Sequence, residues 1–481
     1  MKKRIILLVL SCMLCGIAYG QGTGYLYENG LDGRQNMIRY HATLSDYITY
    51  STPYSLVAQN HFAITDIHNV MTDAHVADGY IIKDFEILDD YVFFCGINAT
   101  NSGFIGWFHI VNLFYGGDRV YIDETLSTYG IENLYDIEVY YDRFDNIHIA
   151  GVGEHIVSGS TVGYKAFEAV GNPLTNMQYR VADLEGWDVN PTLAVTDDYV
   201  VYASVVESSL QHGTGINLEP FPRDDMFPTM SHPRFFFQTV QLFTSINYTL
   251  VYANDADEPH LHTLKVRHKD GNKIAICNYR QDFLENPDFP LSGPLFYYTN
   301  NFYVVIREFD LAPLLANNPI QMLNNARIPF SLPLNNLKDF RYDPLTKNYI
   351  VLFNHSVSTT LSQDAIMTAD YSSGSMPAMV DASYQQAFTN WQTWSLCLNN
   401  SSKYTVSGWD NTSYNYFFWQ DDIVSASDGC NTLQQYIVNP KELVVDKEDT
   451  CSSNVVGWVT LNFAPNLDVE IQSCTNNLIC N

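Results

Sequence analysis

The chain of 481 residues carries 53 acidic against 25 basic side chains, a formal net charge of −28. Because phosphate binding needs a basic surface, this charge excludes nucleic acid as an expected partner. Aromatic residues make up 14% of the chain and charged residues only 16%, a composition that favours strands over helices.

The first twenty residues predict a secretory signal peptide. A basic KKR start precedes an apolar run from Ile5 to Leu14, and small residues follow up to Gly20. The run is shorter than the roughly 20 apolar residues that a membrane-spanning helix needs. We therefore expect cleavage after Gly20 and a secreted, periplasmic or cell-surface protein without a membrane span. Acylation of Cys12, as in a lipoprotein, is the alternative.

One hairpin template repeats along the rest of the chain. The stretch IKDFEILDDYVFFCG from Ile82 places a DDY turn between two apolar runs, and NPTLAVTDDYVVYAS from Asn190 repeats it. Four further copies of the template have the turns DRFDN, HKDGN, DPLTKN and NNSSK, which contain the residues that hairpin turns require. These four further copies begin at Leu134, Leu261, Leu337 and Gln392.

Further apolar runs such as GFIGWFHIVNLF and RVYIDET follow most hairpins. Three or four antiparallel strands, repeated roughly every 50 to 75 residues, predict a β-propeller rather than a pair of β-sandwiches. The third residue of the template counts six blades, at Asp84, Asp136, Thr192, Thr263, Asp339 and Thr393. The segments IRYHATLSDYITYS and VVGWVTLNF, near the two chain ends, indicate a seventh sheet that would close the ring.

We therefore expect an all-β fold with one β-propeller domain over residues 21–481, of seven blades, with six as the alternative. The packing patterns DDYVFFCG and GFIGWF resemble those of the uncharacterised secreted β-propellers that Bacteroidetes export. The resemblance implies an extracytoplasmic role, often in binding. It transfers no catalytic motif to any residue of this chain.

Seven cysteines follow the predicted signal peptide, and all except Cys397 fall into two groups. Cys95 and Cys277 lie in apolar strands and are expected to be buried thiols. The other group lies in the C-terminal segment, about residues 430–481, and consists of Cys430, Cys451, Cys474 and Cys480. Export to an oxidising compartment favours disulfides among them. Of the three possible pairings, the preferred one gives short loops and joins Cys430 to Cys451 and Cys474 to Cys480.

The sequence contains no phosphate-loop, nucleophile-elbow, zincin or CxxC motif. A binding face is predicted from the geometry of the propeller instead. If the first strand of each blade is innermost, Asp84, Asp136 and Asp339 line one mouth of the central tunnel. Two long loops, Val206 to Pro233 and Arg280 to Pro294, would overhang this mouth.

The first loop would bring Arg223, Asp224 and His232 to the same mouth. Carboxylates that converge on a tunnel suit a hard cation such as calcium, although no cofactor is required by the pattern. The competing interpretation is that each anchor side chain bonds backbone amides at its own strand. The acidic stretch NDADEPHLH from Asn254 lacks the three or four ligands that zinc needs.

Four tryptophans crowd into thirty residues near the C-terminus, at Trp391, Trp394, Trp409 and Trp419. Exposed rings would form a platform for sugars, but alternation within predicted strands favours packing between blades.

We expect a secreted, monomeric, non-enzymatic propeller that binds a glycan or a protein on its loop-rich face. One alternative is an extracellular polysaccharide hydrolase or lyase that uses carboxylates at the tunnel mouth. The other is a structural component of the cell envelope.

Overall fold

The computed structural model consists almost entirely of antiparallel strands. It describes residues 23–28, 35–52, 60–65, 71–76, 79–110, 119–157, 160–173, 176–184, 188–209, 213–223, 231–238, 264–285, 296–318, 320–330, 334–356, 362–370, 381–388, 391–410, 416–423, 445–452, 459–461, 464–468 and 475–480. Helical structure in these ranges is limited to 3-10 helices such as Thr125–Tyr129. Within the same ranges, no helix has the length and apolarity to cross a membrane.

The described strands form seven sheets, each built around strands that are consecutive in the chain. The first described strand is β1 (Thr23–Glu28). Blade 1 contains β2 (Gln35–His41), β3 (Asp46–Thr52), β4 (Asn60–Thr65) and β5 (Met71–Val76). Blade 2 contains β6 (Tyr80–Leu88), β7 (Tyr91–Asn98), β8 (Gly103–His109) and β9 (Arg119–Asp123). Blade 3 contains β10 (Asn133–Tyr141), β11 (Ile147–Val157), β12 (Ser160–Asn172) and β13 (Asn176–Leu184).

The remaining blades follow the same plan. Blade 4 contains β14 (Asp188–Val195), β15 (Tyr199–Ser209), β16 (Gly213–Pro222) and β17 (Ser231–Gln238). Blade 5 contains β18 (Leu264–Asp270), β19 (Lys273–Glu285), β20 (Phe296–Asp310) and β21 (Gln321–Phe330). Blade 6 contains β22 (Leu334–Asp343), β23 (Asn348–Ser356), β24 (Ser362–Asp370) and β25 (Asp381–Phe388), and blade 7 contains β26 (Trp391–Leu398), β27 (Lys403–Asp410) and β28 (Tyr416–Asp422).

The first strands of the blades surround a central axis. They contact one another in the order β2, β6, β10, β14, β18, β22, β26 and back to β2. Strand β1 pairs with β28 and supplies the fourth strand of blade 7, so that both ends of the propeller meet in one sheet. The predicted all-β propeller is confirmed. The segment IRYHATLSDYITYS, expected to join the chain ends, instead forms β2 and β3 of blade 1.

The C-terminal segment adds fifth strands to the outside of the ring. These are β29 (Val445–Ser452) on β17, β30 (Val459–Leu461) on β13, β31 (Ala464–Asp468) on β9 and β32 (Thr475–Cys480) on β1. The chain therefore runs backwards past the outer edges of blades 4, 3 and 2 and ends at blade 7, covering edges that would otherwise offer unpaired backbone groups.

Each hairpin turn of the template has a local chemical cause. The turns between the first two strands contain residues in the left-handed region, where short polar residues and glycine are tolerated best, at Ser45, Asp89, Asp145, Gly271, Lys347 and Ser402. In the DRFDN turn, the Asp142 carboxylate accepts hydrogen bonds from the amides of Phe144 (2.7 Å) and Asn146 (2.9 Å). The DDY steps are hairpin turns, as predicted.

Apolar side chains fill the space between neighbouring blades. The ring of Phe62 in blade 1 lies 5.4 Å from Phe85 and 5.5 Å from Phe94 in blade 2. Burial of one such ring stabilises the fold by roughly 1.5–3 kcal/mol. Cys95 and Cys277 are fully buried free thiols in these layers, which confirms their predicted role as core residues.

Strands replace the two long loops that the sequence predicts over the mouth. Between Val206 and Pro233, β15 continues to Ser209 and β16 pairs along it. Residues Arg280 to Glu285 belong to β19. Cross-strand pairing outweighs the low strand propensity of the sequence GTGINLEPFP here. The prediction of these loops is therefore wrong for the residues that the structure describes.

Several predictions fall outside the described residues. The signal peptide, the NDADEPHLH stretch, Cys430 and Cys474 all lie there. Strands β29 and β32 contain Cys451 and Cys480, whose side chains are not described. The disulfides therefore stay a prediction.

Candidate functional site

A cavity of about 310 Å³ lies on the propeller axis, between the innermost strands. Alternate residues of several of these strands point into it, because side chains along a strand alternate between two faces. The pairs Asp84 and Glu86 of β6, and Asp136 and Glu138 of β10, illustrate the pattern. Ligand pockets typically have volumes from about 300 Å³ upward, so this cavity has room for a small ligand or for one end of a larger one.

The three aspartates predicted at the mouth all line this cavity, but they lie in the middle of their strands rather than at the start. Each carboxylate accepts a hydrogen bond from a backbone amide in the next blade. These bonds join Asp84 to Ile137 (3.1 Å), Asp136 to Leu193 (3.2 Å) and Asp339 to Leu396 (2.9 Å). The aspartates therefore fasten neighbouring blades together.

Serine takes the same position in blade 7. The Ser395 hydroxyl accepts a hydrogen bond from the amide of Ile38 in blade 1, at 3.4 Å. The predicted anchor Thr393 lies two residues earlier, where its hydroxyl and amide donate to Asp364. Thr263, the anchor predicted for blade 5, lies outside the described residues.

Arginines form a second layer of contacts between blades. Arg267 donates through Nε to the carbonyl of Phe340, and Arg341 donates through Nε to the carbonyl of Leu396, each at 3.0 Å. Both guanidinium groups also reach Asp339, whose oxygens lie 3.0 Å and 3.5 Å from them.

Arg39 joins blade 1 to blade 2 in the same way. It donates to Asp84 (2.7 Å) and to Glu86 (2.8 Å), both in β6. Most charges around the axis thus stabilise the ring, since a buried charge needs a partner of opposite sign.

Burial and neighbouring charges shift the pKa values of the carboxyl groups in the cavity, upwards for some groups and downwards for others. Burial would raise the pKa of Asp339, but the guanidinium groups of Arg341, Arg267 and Arg39 outweigh it and hold the pKa well below its usual range. Burial raises the pKa of Glu138 to about 8, and the nearby Glu86 carboxylate adds to the rise.

Asp84 shows the same upward shift. Burial raises the pKa of Asp84 to about 8, although the Arg39 guanidinium acts in the opposite direction. At neutral pH the cavity therefore contains both ionised and protonated carboxyl groups.

A repeated β-bulge directs four further side chains to the cavity. The pairing register shifts at the residue just before the anchor in β6, β10, β22 and β26. A bulge leaves one residue unpaired and re-aims its side chain. The four residues at this position are Lys83, Tyr135, Lys338 and Trp394, and all of them line the cavity. We refer to these four as the bulge residues.

Exposure shows where the cavity opens. Trp394 is 38% exposed and lies 6.1 Å from the ring of Trp409, while Asn336 is also exposed. Trp409 and Trp419 are buried, as expected for packing between blades, and the side chain of Trp391 is not described. Among the tryptophans whose side chains the structure describes, Trp394 is therefore the one that can contact a ligand.

Not every charged group of the cavity has a partner. In the part of the chain that the structure describes, Lys83, Lys265 and Glu138 have neither a hydrogen bond nor an ion pair. Lys338, by contrast, donates to Asp364 (2.6 Å) and to the carbonyl of Thr393 (2.7 Å). The three unpaired groups are the ones available to a ligand.

The structure does not bring the predicted loop residues to this cavity. Arg223 lies at the opposite ends of the strands, where it packs over the ring of Tyr140 and donates to the carbonyl of Thr196. The prediction of Arg223 at the mouth is wrong, because β16 carries it away from that end of the blade. Asp224 lies outside the described residues, and His232 lies in β17 with its side chain not described.

The described residues contain no group of three or more histidine, cysteine, aspartate or glutamate side chains arranged to hold a metal ion. The oxygens that the sequence offered to calcium accept hydrogen bonds from backbone amides instead. We therefore propose no calcium site.

A separate buried network lies in blade 3. His148 contacts Asp142 through Nε2 (3.0 Å) and Glu168 through Nδ1 (3.1 Å), and Arg180 donates to the other oxygen of Glu168. Burial would lower the pKa of His148, but the Glu168 and Asp142 carboxylates outweigh it and raise the pKa above its usual value. This network stabilises the blade and does not reach the cavity lining.

No protein-family model matches the sequence, and no curated protein matches it either. Among solved structures, the chain is similar to Drosophila Semaphorin 1b, extracellular domains 1-2, at 7% identity and a TM-score of 0.39, over 82% of this chain and 88% of that one. It is also similar to the polysaccharide lyase Uly1, at 9% identity and a TM-score of 0.28, over 83% and 99%. A third similarity, at 6% identity and a TM-score of 0.24, is to a GH43_12 retrieved from capybara gut metagenome, over 84% and 99%. Similarities at this level carry no information about ligand or activity.

Proposed function

We propose that the chain is a carbohydrate-binding β-propeller that takes one end of an oligosaccharide into its axial cavity. The observation that carries the proposal is Trp394, an exposed ring at the opening of a polar cavity, held in place by a β-bulge. Sugar rings have apolar faces and polar edges, and an aromatic ring next to hydrogen-bonding groups suits both.

The second aromatic bulge residue supports the same function. Tyr135 lines the cavity from blade 3, and Trp394 lines it from blade 7. Three blades separate them on one side of the ring and two on the other, so that a ligand at the axis lies between two aromatic side chains. The exposed amide of Asn336 adds a donor and an acceptor beside Trp394.

A glycan array probed with the full chain tests the proposal, followed by calorimetry with the best ligand. Trp394→Ala should weaken binding by about thirtyfold or more, as truncation of a central aromatic contact does. The matched control is Phe144→Ala, an exposed aromatic (67%) in the hairpin turn at the opposite end of blade 3. An empty array, or equal binding by the two variants, would contradict the proposal.

Glycoside hydrolysis is a second candidate, favoured by one observation. Glu138, unpaired in the described part of the chain, has a pKa near 8, and further carboxyl groups line the same cavity. A protonated and an ionised carboxyl are what a glycosidase needs. If bound oligosaccharide is cleaved, Glu138→Gln should abolish cleavage and leave binding intact. If the ligand is recovered unchanged from the wild-type protein, binding is the whole function.

A further inference from the structure

Two lysines of the cavity lack the partners that every other cation there has. Six of the 25 lysines and arginines of the chain line the cavity. The three arginines bond to carboxylates or carbonyls between blades, and Lys338 bonds to Asp364. Lys83 and Lys265 have no such partner in the described residues, so their charge is not required to hold the ring together.

The fold places these two lysines on different sides of the axis. Lys83 belongs to blade 2 and Lys265 to blade 5, with two blades between them on one side of the ring and three on the other. Both line the same cavity. A ligand group at the axis would therefore be approached by an ammonium group from two directions.

The charge balance of the cavity differs from that of the chain as a whole. The chain has a net charge of −28, but the cavity contains six cationic side chains and five acidic ones. Burial raises the pKa of Glu138, which removes negative charge from the cavity near neutral pH. Low-dielectric walls strengthen the resulting positive potential.

A partly buried ammonium group is destabilised when no counterion is bonded to it; the Glu154 carboxylate acts on Lys83 without forming an ion pair. Burial lowers the pKa of Lys83, the expected response of a desolvated cation. An anion bound beside Lys83 would raise this pKa again, because a charge-assisted hydrogen bond stabilises the charged form of the ammonium group.

We propose that the oligosaccharide is an acidic one, and that an anionic group on its terminal sugar, a carboxylate or a sulfate, binds between Lys83 and Lys265. The proposal rests on the proposed function, because the sugar ring would contact Trp394 while the anionic group contacts the lysines. Neutral sugars would leave both lysines without a partner.

Calorimetry with three trisaccharides tests the proposal: trigalacturonate, its methyl ester, and a sulfated galactose trisaccharide. The ester keeps the sugar backbone and removes the charge. Trigalacturonate or the sulfated sugar, whichever carries the preferred anion, should bind about ten- to a hundredfold tighter than the ester, the effect of one charge-assisted hydrogen bond.

Lys83→Met and Lys265→Met should each weaken the acidic ligand by a similar factor and weaken the ester much less. Lys347→Met, at the exposed turn between β22 and β23, is the control and should change nothing. Methionine keeps the unbranched chain, and far-ultraviolet circular dichroism checks that each variant is folded.

The outcomes separate the two proposals. If the ester binds as tightly as the acidic sugars and Trp394→Ala weakens all of them, the proposed function stands and the acidic ligand is overturned. If inorganic sulfate binds the cavity as tightly as the sulfated trisaccharide does, the sugar itself is not recognised, and the inference of an acidic oligosaccharide is again overturned. If no glycan binds and the array is empty, the proposed function itself fails.

Discussion

Replacement of Asp339 by asparagine tests whether the aspartates of the cavity are fastenings between blades. Asp339 is buried and uses both oxygens: Oδ1 accepts from Arg267 and from the amide of Phe340, and Oδ2 accepts from the amide of Leu396. An asparagine keeps one oxygen as an acceptor and replaces the other with an NH₂ group, which would face the N–H donors that now bond to that oxygen. The substitution therefore leaves buried donors unsatisfied and buried guanidinium charge without its counterion.

The size of the effect follows from these contacts. Loss of the partner of a buried charge costs about 3–5 kcal/mol in free energy of unfolding. Asp136 provides the matched control, because one of its oxygens accepts both bonds, from the Thr192 hydroxyl (2.7 Å) and the Leu193 amide (3.2 Å). An asparagine carbonyl can replace that oxygen, so Asp136→Asn should cost about 1 kcal/mol or less.

Urea unfolding at pH 7, followed by circular dichroism, measures both variants against the wild type. The midpoint should fall clearly for Asp339→Asn and little for Asp136→Asn, with unchanged slopes. Equal destabilisation, or a change below about 1 kcal/mol for Asp339→Asn, would refute the assignment of Asp339 as a charge-paired clamp.

Three further predictions concern the fold. Because the pKa of His148 is raised in the folded state, its contribution to stability is complete below the ordinary histidine pKa of about 6.5 and is lost as the pH rises through the folded value; His148→Gln should remove this fall in urea stability, and an unchanged pH profile would contradict it. Gly96→Ala should prevent folding, because its Cβ would lie 2.0 Å from the Ile81 carbonyl oxygen, whereas Gly163→Ala meets nothing within 4 Å and should be tolerated; soluble yield and circular dichroism compare them. The buried free thiols of Cys95, Cys277 and Cys397 should react with a thiol reagent only after unfolding, since burial raises their pKa, and rapid labelling of any of these three in the native protein, located by mass spectrometry, would show otherwise.

The hairpin template was readable from sequence because it is local. Alternating apolar residues and turn-forming residues lie within fifteen positions of one another, and the turn residues with positive φ fall where the template places them. The buried thiols Cys95 and Cys277 were predictable for the same reason, since apolar neighbours on both sides indicate a central strand.

The bulge residues could not be found in this way. A bulge is a mismatch between two strands, and one strand's pattern does not reveal it. The signal was present in hindsight as the residue before each anchor: Lys83 before Asp84, and Lys338 before Asp339. In blade 7 the same mismatch moved the anchor from Thr393 to Ser395.

The roles of the aspartates also depend on neighbours that are distant in sequence. Asp84 bonds a residue 53 positions away and Asp339 one 57 positions away. The sequence predicted that these carboxylates converge, and they do line one cavity. It could not show that backbone amides and arginines of adjacent blades occupy them, which leaves other groups to contact a ligand, namely Lys83, Lys265, Glu138 and Trp394.

Hydrogen–deuterium exchange of the full chain, with and without the tightest-binding oligosaccharide, tests the central claim most directly. Binding in the axial cavity should slow exchange in peptides that contain Lys83, Tyr135 and Trp394, and should leave the hairpin turns at Asp89 and Asp197 unchanged. Protection confined to those turns, or to the outer strands of the blades, would contradict the account.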